Sequence, residues 1–462
     1  MGNLITVGNC NKLYKHIWYY LITQLIFEYL FDGNLPEQIK INNLQPTEFP
    51  KNILIQETFN YLGTFIFSII VYKYEQSQVL STIDNKNNKD QSQLNIDDSS
   101  SSSSSYILRS KGTNIELIYN NEDDNTFKQV ISISITSIFL TLSVQIMNQL
   151  YIMNLRALDF WMFEILFISF ITLFMFGKQI YKHKKLAITF ITLFPSLFKS
   201  LSIIEIIRNK NEENLYKIYK WIIPVGIISF LLVTFLRDYS ICKIKWFLDY
   251  NFNSPNSILI IYSFWGFVIC LISSIFSTII KCNDNFEYIS FICTVTSKNK
   301  NDEIIYYYDN FKIYFKDLWR KDRASAINVL YIFIIFFKVL LFYLIKLFSI
   351  LIIKKLNQVY LICATSIFYF VLRFMRVIFA LILKNDYSIL VKFYELLAEF
   401  FSIIGIIFYL ELIEFNFCGL NYNLKKNITI RSIDESYISS ILDDSRTESI
   451  DEQNITELTE IV

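Results

Sequence analysis

The chain is poor in the residues that punctuate soluble folds and hold metals. Only 10 glycines, 6 prolines and 2 histidines occur in its 462 residues. His16 and His183 are the whole imidazole supply. Seven cysteines (Cys10, Cys242, Cys270, Cys282, Cys293, Cys363 and Cys418) stand singly with no C-x-x-C, so no zinc or haem spacing exists. The cysteines read as small apolar fillers. Charge is scarce too, at 18% of residues against roughly 25% in soluble domains. A net charge of +1 gives no field that would draw the chain to nucleic acid. The templates G-x-S-x-G, G-x-x-x-x-G-K-[ST], H-E-x-x-H and G-x-G-x-x-G are all missing. No catalytic residue, metal site or cofactor is therefore assigned, and an enzyme is not expected. The start, MGNLITVGNCNKLYK, lacks the basic, apolar and cleavage regions of a signal peptide. It does match a myristoylation pattern through Gly2 and Thr6, with Cys10 as a second lipid site. The other reading is simply the approach to a first membrane helix.

What the chain has is apolar length: hydrophobic residues make up 53% of it, aromatics 17% of it, and the mean hydropathy is +0.36. A spanning helix needs about 20 mostly apolar residues. By that measure the runs are His16–Phe31 (short, with Glu28), Ile53–Tyr72, Val130–Leu155, Phe160–Phe176, Leu186–Ile204, Trp221–Leu236, Ile258–Ile280, Ile327–Leu351, Val359–Leu383 and Tyr394–Phe415. The total is ten, or nine if the first does not cross. Pro195 and Lys199 interrupt the fifth. Arg237–Ser257 reads as a short interfacial helix closed by Asn253-Ser254-Pro255, and the aromatic loop Tyr306–Phe315 as resting on the membrane surface.

The domain plan follows: 1–72, the first two helices; 73–128, a linker with seven consecutive serines (Ser99–Ser105); 129–204, helices three to five; 205–415, helices six to ten; 416–462, an acidic tail. The linker cannot bury enough apolar surface to order itself, so disorder is expected. Lysines in short loops favour the cytosol. Lys178, Lys182, Lys184 and Lys185 form the clearest such turn, and Arg237–Lys245, Lys354 and Lys355 fall on the same side if spans alternate. Both termini are then cytosolic, and the sequons at Asn427 and Asn454 stay unglycosylated.

Charges inside apolar runs are the candidate site, because each costs about 2.5–3.5 kcal/mol at mid-bilayer on insertion scales. They are Glu164, Lys338, Arg373, Arg376, Glu395 and Glu399. Arg373 and Arg376 share one helix face and Glu395 and Glu399 share another, on helices joined by a short turn. Mutual pairing, handling of a substrate or proton, and snorkelling to the interface all remain open readings.

The region Leu150–Ile188 resembles helices three to five of the drug/metabolite transporter superfamily, and is most similar to solute carrier family 35, subfamily F. The resemblance lies in Tyr151–Asn154, Phe176-Gly177-Lys178-Gln179 and Lys185–Ile188. Further similar pieces follow in order: Gly8–Lys15, Glu57–Phe67, Lys245–Cys270, Lys354–Met375 and Glu395–Tyr409. Glu164 stands where that family tends to carry an arginine. The resemblance implies an all-α polytopic membrane protein of about ten transmembrane helices in two inverted five-helix repeats around a central cavity. It implies secondary transport of a small organic solute across an internal membrane (Golgi, endosomal or vacuolar). The bilayer, the solute and a second copy of the chain are the expected partners. The alternative is a non-transporting scaffold or adaptor on the same fold, working through its linker and tail.

Overall fold

The computed structural model describes residues 5–7, 15–27, 53–93, 123–152, 158–177, 181–208, 222–250, 253–279, 295–298, 304–319, 325–382 and 389–415. Among them the chain is predominantly helical. The helices are α1 Lys15–Phe27, α2 Ile53–Gln93, α3 Asp123–Ile152, α4 Glu164–Phe176, α5 Lys182–Arg208, α6 Ile222–Tyr250, α7 Pro255–Ile279, α8 Phe311–Leu318, α9 Ser325–Lys355, α10 Gln358–Ile382 and α11 Ile389–Tyr409. Two short antiparallel ribbons are the exception to an all-α chain: β1 Ile5–Val7 with β4 Ile413–Phe415, and β2 Val295–Lys298 with β3 Ile304–Tyr307.

Seven of these helices (α2, α3, α5, α6, α7, α9 and α10) are long and apolar enough to cross a membrane, and a shorter apolar stretch covers Trp161–Met175. Their outward faces decide the environment. On α3 the exposed residues are Ile131, Ile135, Phe139, Leu142 and Ile146, one stripe at helical spacing. In a water-soluble helix that stripe would be polar; here it faces lipid. The chain is a multi-pass integral membrane protein. α11 misses the apolar criterion because Lys392, Glu395 and Glu399 fall within it.

Local chemistry accounts for the ends. Ser254 caps α7, accepting from the Ser257 N–H at 3.0 Å, and Pro255 takes the first helical position, where its missing N–H is no loss. Gly177 ends α4 with φ +60°, a left-handed conformation that glycine reaches without strain. The Asp309 carboxylate accepts from the Leu54 and Ile55 N–H groups at 2.6 and 3.3 Å, capping α2 from 255 residues beyond Leu54 in the sequence. The surface loop is thereby pinned to α2. Tyr314 of α8 is buried with its ring stacked on Phe59, 5.9 Å between centroids.

Four expectations need correction. Composition starts the linker at Lys73, but α2 continues to Gln93. No glycine or proline breaks that polar stretch, and Glu75, beyond the expected end, accepts from Asn256 of α7 at 2.7 Å. Residues 94–122 lie outside the described residues. The span ending at Leu236 and the interfacial helix after it are a single 29-residue helix, α6, so Arg237 and Asp238 sit inside the bundle rather than in a loop. They therefore drop out of the orientation argument. The last span ends at Tyr409, not Phe415: Glu411 turns with φ +58° and Glu414 lies in β4. Pro195 does not break α5 either, which runs through it to Arg208.

Packing joins α5 to α11, α2 to α7, α3 to α6 and α7, α9 to α1 and α2, α4 to α6 and α10, and α10 to α1 and α11. Scarce glycines are spent at close approaches: Gly266 of α7 is covered by the Tyr61 ring of α2, and Gly405 of α11 by Ile191 of α5. The α2–α7 seam adds hydroxyl pairs, Thr58–Ser274 at 3.2 Å and Tyr61–Tyr262 at 3.1 Å.

Candidate functional site

The helices enclose a cavity of about 340 Å³, within the range that holds small organic molecules. Its walls come from α1, α3, α4, α5, α6, α7, α9, α10 and α11, so nearly every long helix contributes. Seven charged side chains line it: Asp159, Glu164, Lys199, Arg237, Lys346, Arg373 and Glu399. In a membrane-embedded bundle such a set must be compensated internally.

Two clusters do this. Glu164 opens α4, where its charge also suits the helix N-terminus. It forms an ion pair with Arg237 of α6, which also lies 3.6 Å from Asp238. The second cluster centres on Arg373 of α10, which pairs with Glu399 at 2.6 Å and Glu395 at 3.7 Å, both on α11. Glu395 then reaches back to Lys199 of α5 at 3.3 Å. Lys199 is only 1% exposed. A side chain of that type survives burial only when paired.

Two charges remain. Asp159 accepts from the Tyr151 hydroxyl at 2.6 Å, and its second oxygen, Oδ1, has no hydrogen-bond partner among the described residues. Lys346 lies over aromatic rings, 5.0 Å from the centre of Phe342 and 5.8 Å from that of Tyr262.

The predicted site residues therefore divide. Glu164, Arg373 and Glu399 line the cavity, and Glu395 bridges two of its cations. Lys338 is elsewhere: it donates to Gln56 at 3.2 Å and lies 5.5 Å from the Phe27 ring, tying α9 to α2 and α1. The side chain of Arg376 lies outside the described residues, as do Gly2, Cys10 and residues 416–462. The sequence reading missed Arg237, Asp238, Asp159 and Lys346 as members of the site, and took Lys199 for an interruption. For Lys199 a signal existed, since a lysine inside a membrane-length helix asks for a partner. Arg237 gave none, because hydropathy ends a span at a charge whether or not that charge is paired.

Among the described residues no group of three or more His, Cys, Asp or Glu is arranged to hold a metal. No family model matches the chain, and no curated protein matches it.

Proposed function

We propose that the chain is a secondary transporter that carries a small organic solute across an internal membrane by alternating access between two halves of five helices each, α1–α5 and, leaving out the short α8, α6–α11. The observation that carries this reading is the charged central cavity, walled by both halves and bridged by ion pairs that cross between them. Glu164 and Lys199 belong to the first half, and their partners Arg237 and Glu395 to the second.

The helix pairings support a two-repeat arrangement. With the short α8 set aside, exchanging each helix of the first half with its counterpart in the second maps α3·α6 onto α9·α1. It also maps α3·α7 onto α9·α2 and α4·α6 onto α10·α1, and leaves α2·α7, α5·α11 and α4·α10 unchanged. All of these pairs pack. Repeats with an odd number of crossings run in opposite directions through the membrane, so the two halves would be inverted. The β1–β4 ribbon, which brings Ile5–Val7 beside Ile413–Phe415, agrees with an even number of crossings between them. The internal membrane and the cytosolic termini rest on the family resemblance and the lysine-rich turn.

Uptake into liposomes holding the purified protein, over a panel of nucleotide sugars, nucleotides and amino acids, tests the reading. Accumulation above empty liposomes is the expected result. No flux for any panel member would overturn it and leave the scaffold reading, under which deleting Asp434–Val462 abolishes cellular function.

A further inference from the structure

Within the transport reading, on which this inference rests, the charges of the cavity point to the class of solute. The Lys199–Glu395–Arg373–Glu399 cluster is balanced two against two, and in the Glu164–Arg237–Asp238 cluster one guanidinium serves two carboxylates. Remove them and the cavity wall retains one carboxylate, Asp159, and one ammonium, Lys346. Neither makes an ion pair within 4.0 Å among the described residues.

Asp159 is 6% exposed, and only one of its oxygens is used, by Tyr151. A buried carboxylate oxygen without a donor is costly, on the order of 1–3 kcal/mol or more when charged. Two residues along the chain, the Trp161 ring lines the same cavity, and its indole N–H has no hydrogen-bond partner among the described residues. A carboxylate next to an aromatic ring is an environment for an ammonium group. Lys346, by contrast, is supported among the described residues by ring faces. These rings stabilise the cation but leave its three N–H donors without an anionic acceptor. That is an environment for an acidic group.

We propose that the cavity binds a small zwitterion of the amino-acid class, its ammonium on Asp159 and its carboxylate on Lys346. A solute with one charge of each sign neutralises both residues at once. A single-charge solute leaves one of them unpaired in the membrane interior. The apolar remainder of the wall, including Leu140, Ile241 and Ile345, accommodates a large side chain.

The test uses the purified full-length protein in nanodiscs and equilibrium binding of two congener sets. One is tryptophan, tryptamine and indole-3-propionate; the other is leucine, isopentylamine and 4-methylpentanoate. Each amino acid is expected to bind at least about tenfold more tightly than its amine or its acid, because a site built for a polar group rejects the analogue lacking it. Lys346→Met should lower tryptophan to the level of tryptamine, and Asp159→Asn to that of indole-3-propionate. An amino acid that binds no better than its single-charge congeners, or not at all, overturns the proposal. The unmodified protein alone decides this, whatever the stability of the variants. Flux of a nucleotide sugar combined with that failure would remove this inference and keep the transport reading. Zwitterion binding without any flux would do the reverse.

Discussion

Arg237 lies in the middle of a 29-residue helix with two carboxylates as neighbours, and this makes an asymmetric prediction. Replacing Arg237 with Met removes the only cation that pairs with Glu164 or Asp238 among the described residues. Two buried carboxylates are then left together. Breaking a buried ion pair from one side costs about 3–5 kcal/mol, and Arg237→Met should reach the top of that range. Glu164→Gln is different, because Arg237 keeps Asp238 at 3.6 Å; at an effective dielectric near 20 that attraction is about 4–5 kcal/mol before desolvation. Glutamine can also still accept one hydrogen bond, so the expected loss is only about 1–2 kcal/mol. In the double variant the charge left behind is Asp238 alone, so it should be more stable than Arg237→Met. Equilibrium unfolding in mixed detergent–SDS micelles measures all three. Equal costs for the two single variants, or a double variant that loses the sum of both, would refute the account of Arg237 as a shared counter-ion.

Three further predictions concern the frame around the cavity. Gly266→Ala places a methyl group into the Tyr61 ring, and should cost about 1–3 kcal/mol by overpacking while disturbing the Tyr61–Tyr262 hydroxyl pair; a thermal unfolding scan reads it. Asp309→Ala removes the cap from Leu54 and Ile55, and should cost about 1–2 kcal/mol, with faster hydrogen exchange confined to the first turn of α2. Cys242, Cys270 and Cys363 are buried, the first two with a glutamine amide on the sulfur, so a membrane-permeable maleimide should label none of them until the protein unfolds; mass spectrometry of the labelled peptides checks this.

The helical plan was largely legible, because membrane helices announce themselves by apolar length. Each of the ten runs read from the sequence contains or overlaps a helix, even the short first run, which becomes α1. The errors share one cause. Hydropathy treats a charge as a boundary, and in this bundle several charges are interior. Arg237 and Asp238 cut α6 in two on paper, and the lost half carries Cys242, Ile244, Phe247 and Leu248 into the core. Lys199 with Pro195 made α5 look broken for the same reason. In the opposite sense, α2 outruns its apolar segment because nothing in Lys73–Gln93 stops a helix. The pairing of Arg373 with Glu399 was among the readings that helix faces and a short connection left open, and the two lie 2.6 Å apart. That of Glu395 with Lys199 was not, since it joins residues 196 apart in sequence and only the packing of α5 on α11 brings them together.

The placement of counter-ions bears on how the proposed halves would move. When the halves separate, Arg237 loses Glu164 but keeps Asp238, its neighbour on the same helix. Glu395 loses Lys199 but keeps Arg373, which also holds Glu399. The second half is thus compensated from within, in either arrangement. The first half gives up one carboxylate and one ammonium, Glu164 and Lys199, to a cavity that opens to water as it separates, where each charge is solvated. The energetic cost of parting the two clusters is then far below that of exposing four unpaired charges to a dry interior. Had the pairs been simple one-to-one bridges, every opening would strand a cation on each side of the gap. Sharing Arg237 and Glu395, though not Glu164 or Lys199, with partners on their own half would lower the cost of separating the proposed halves.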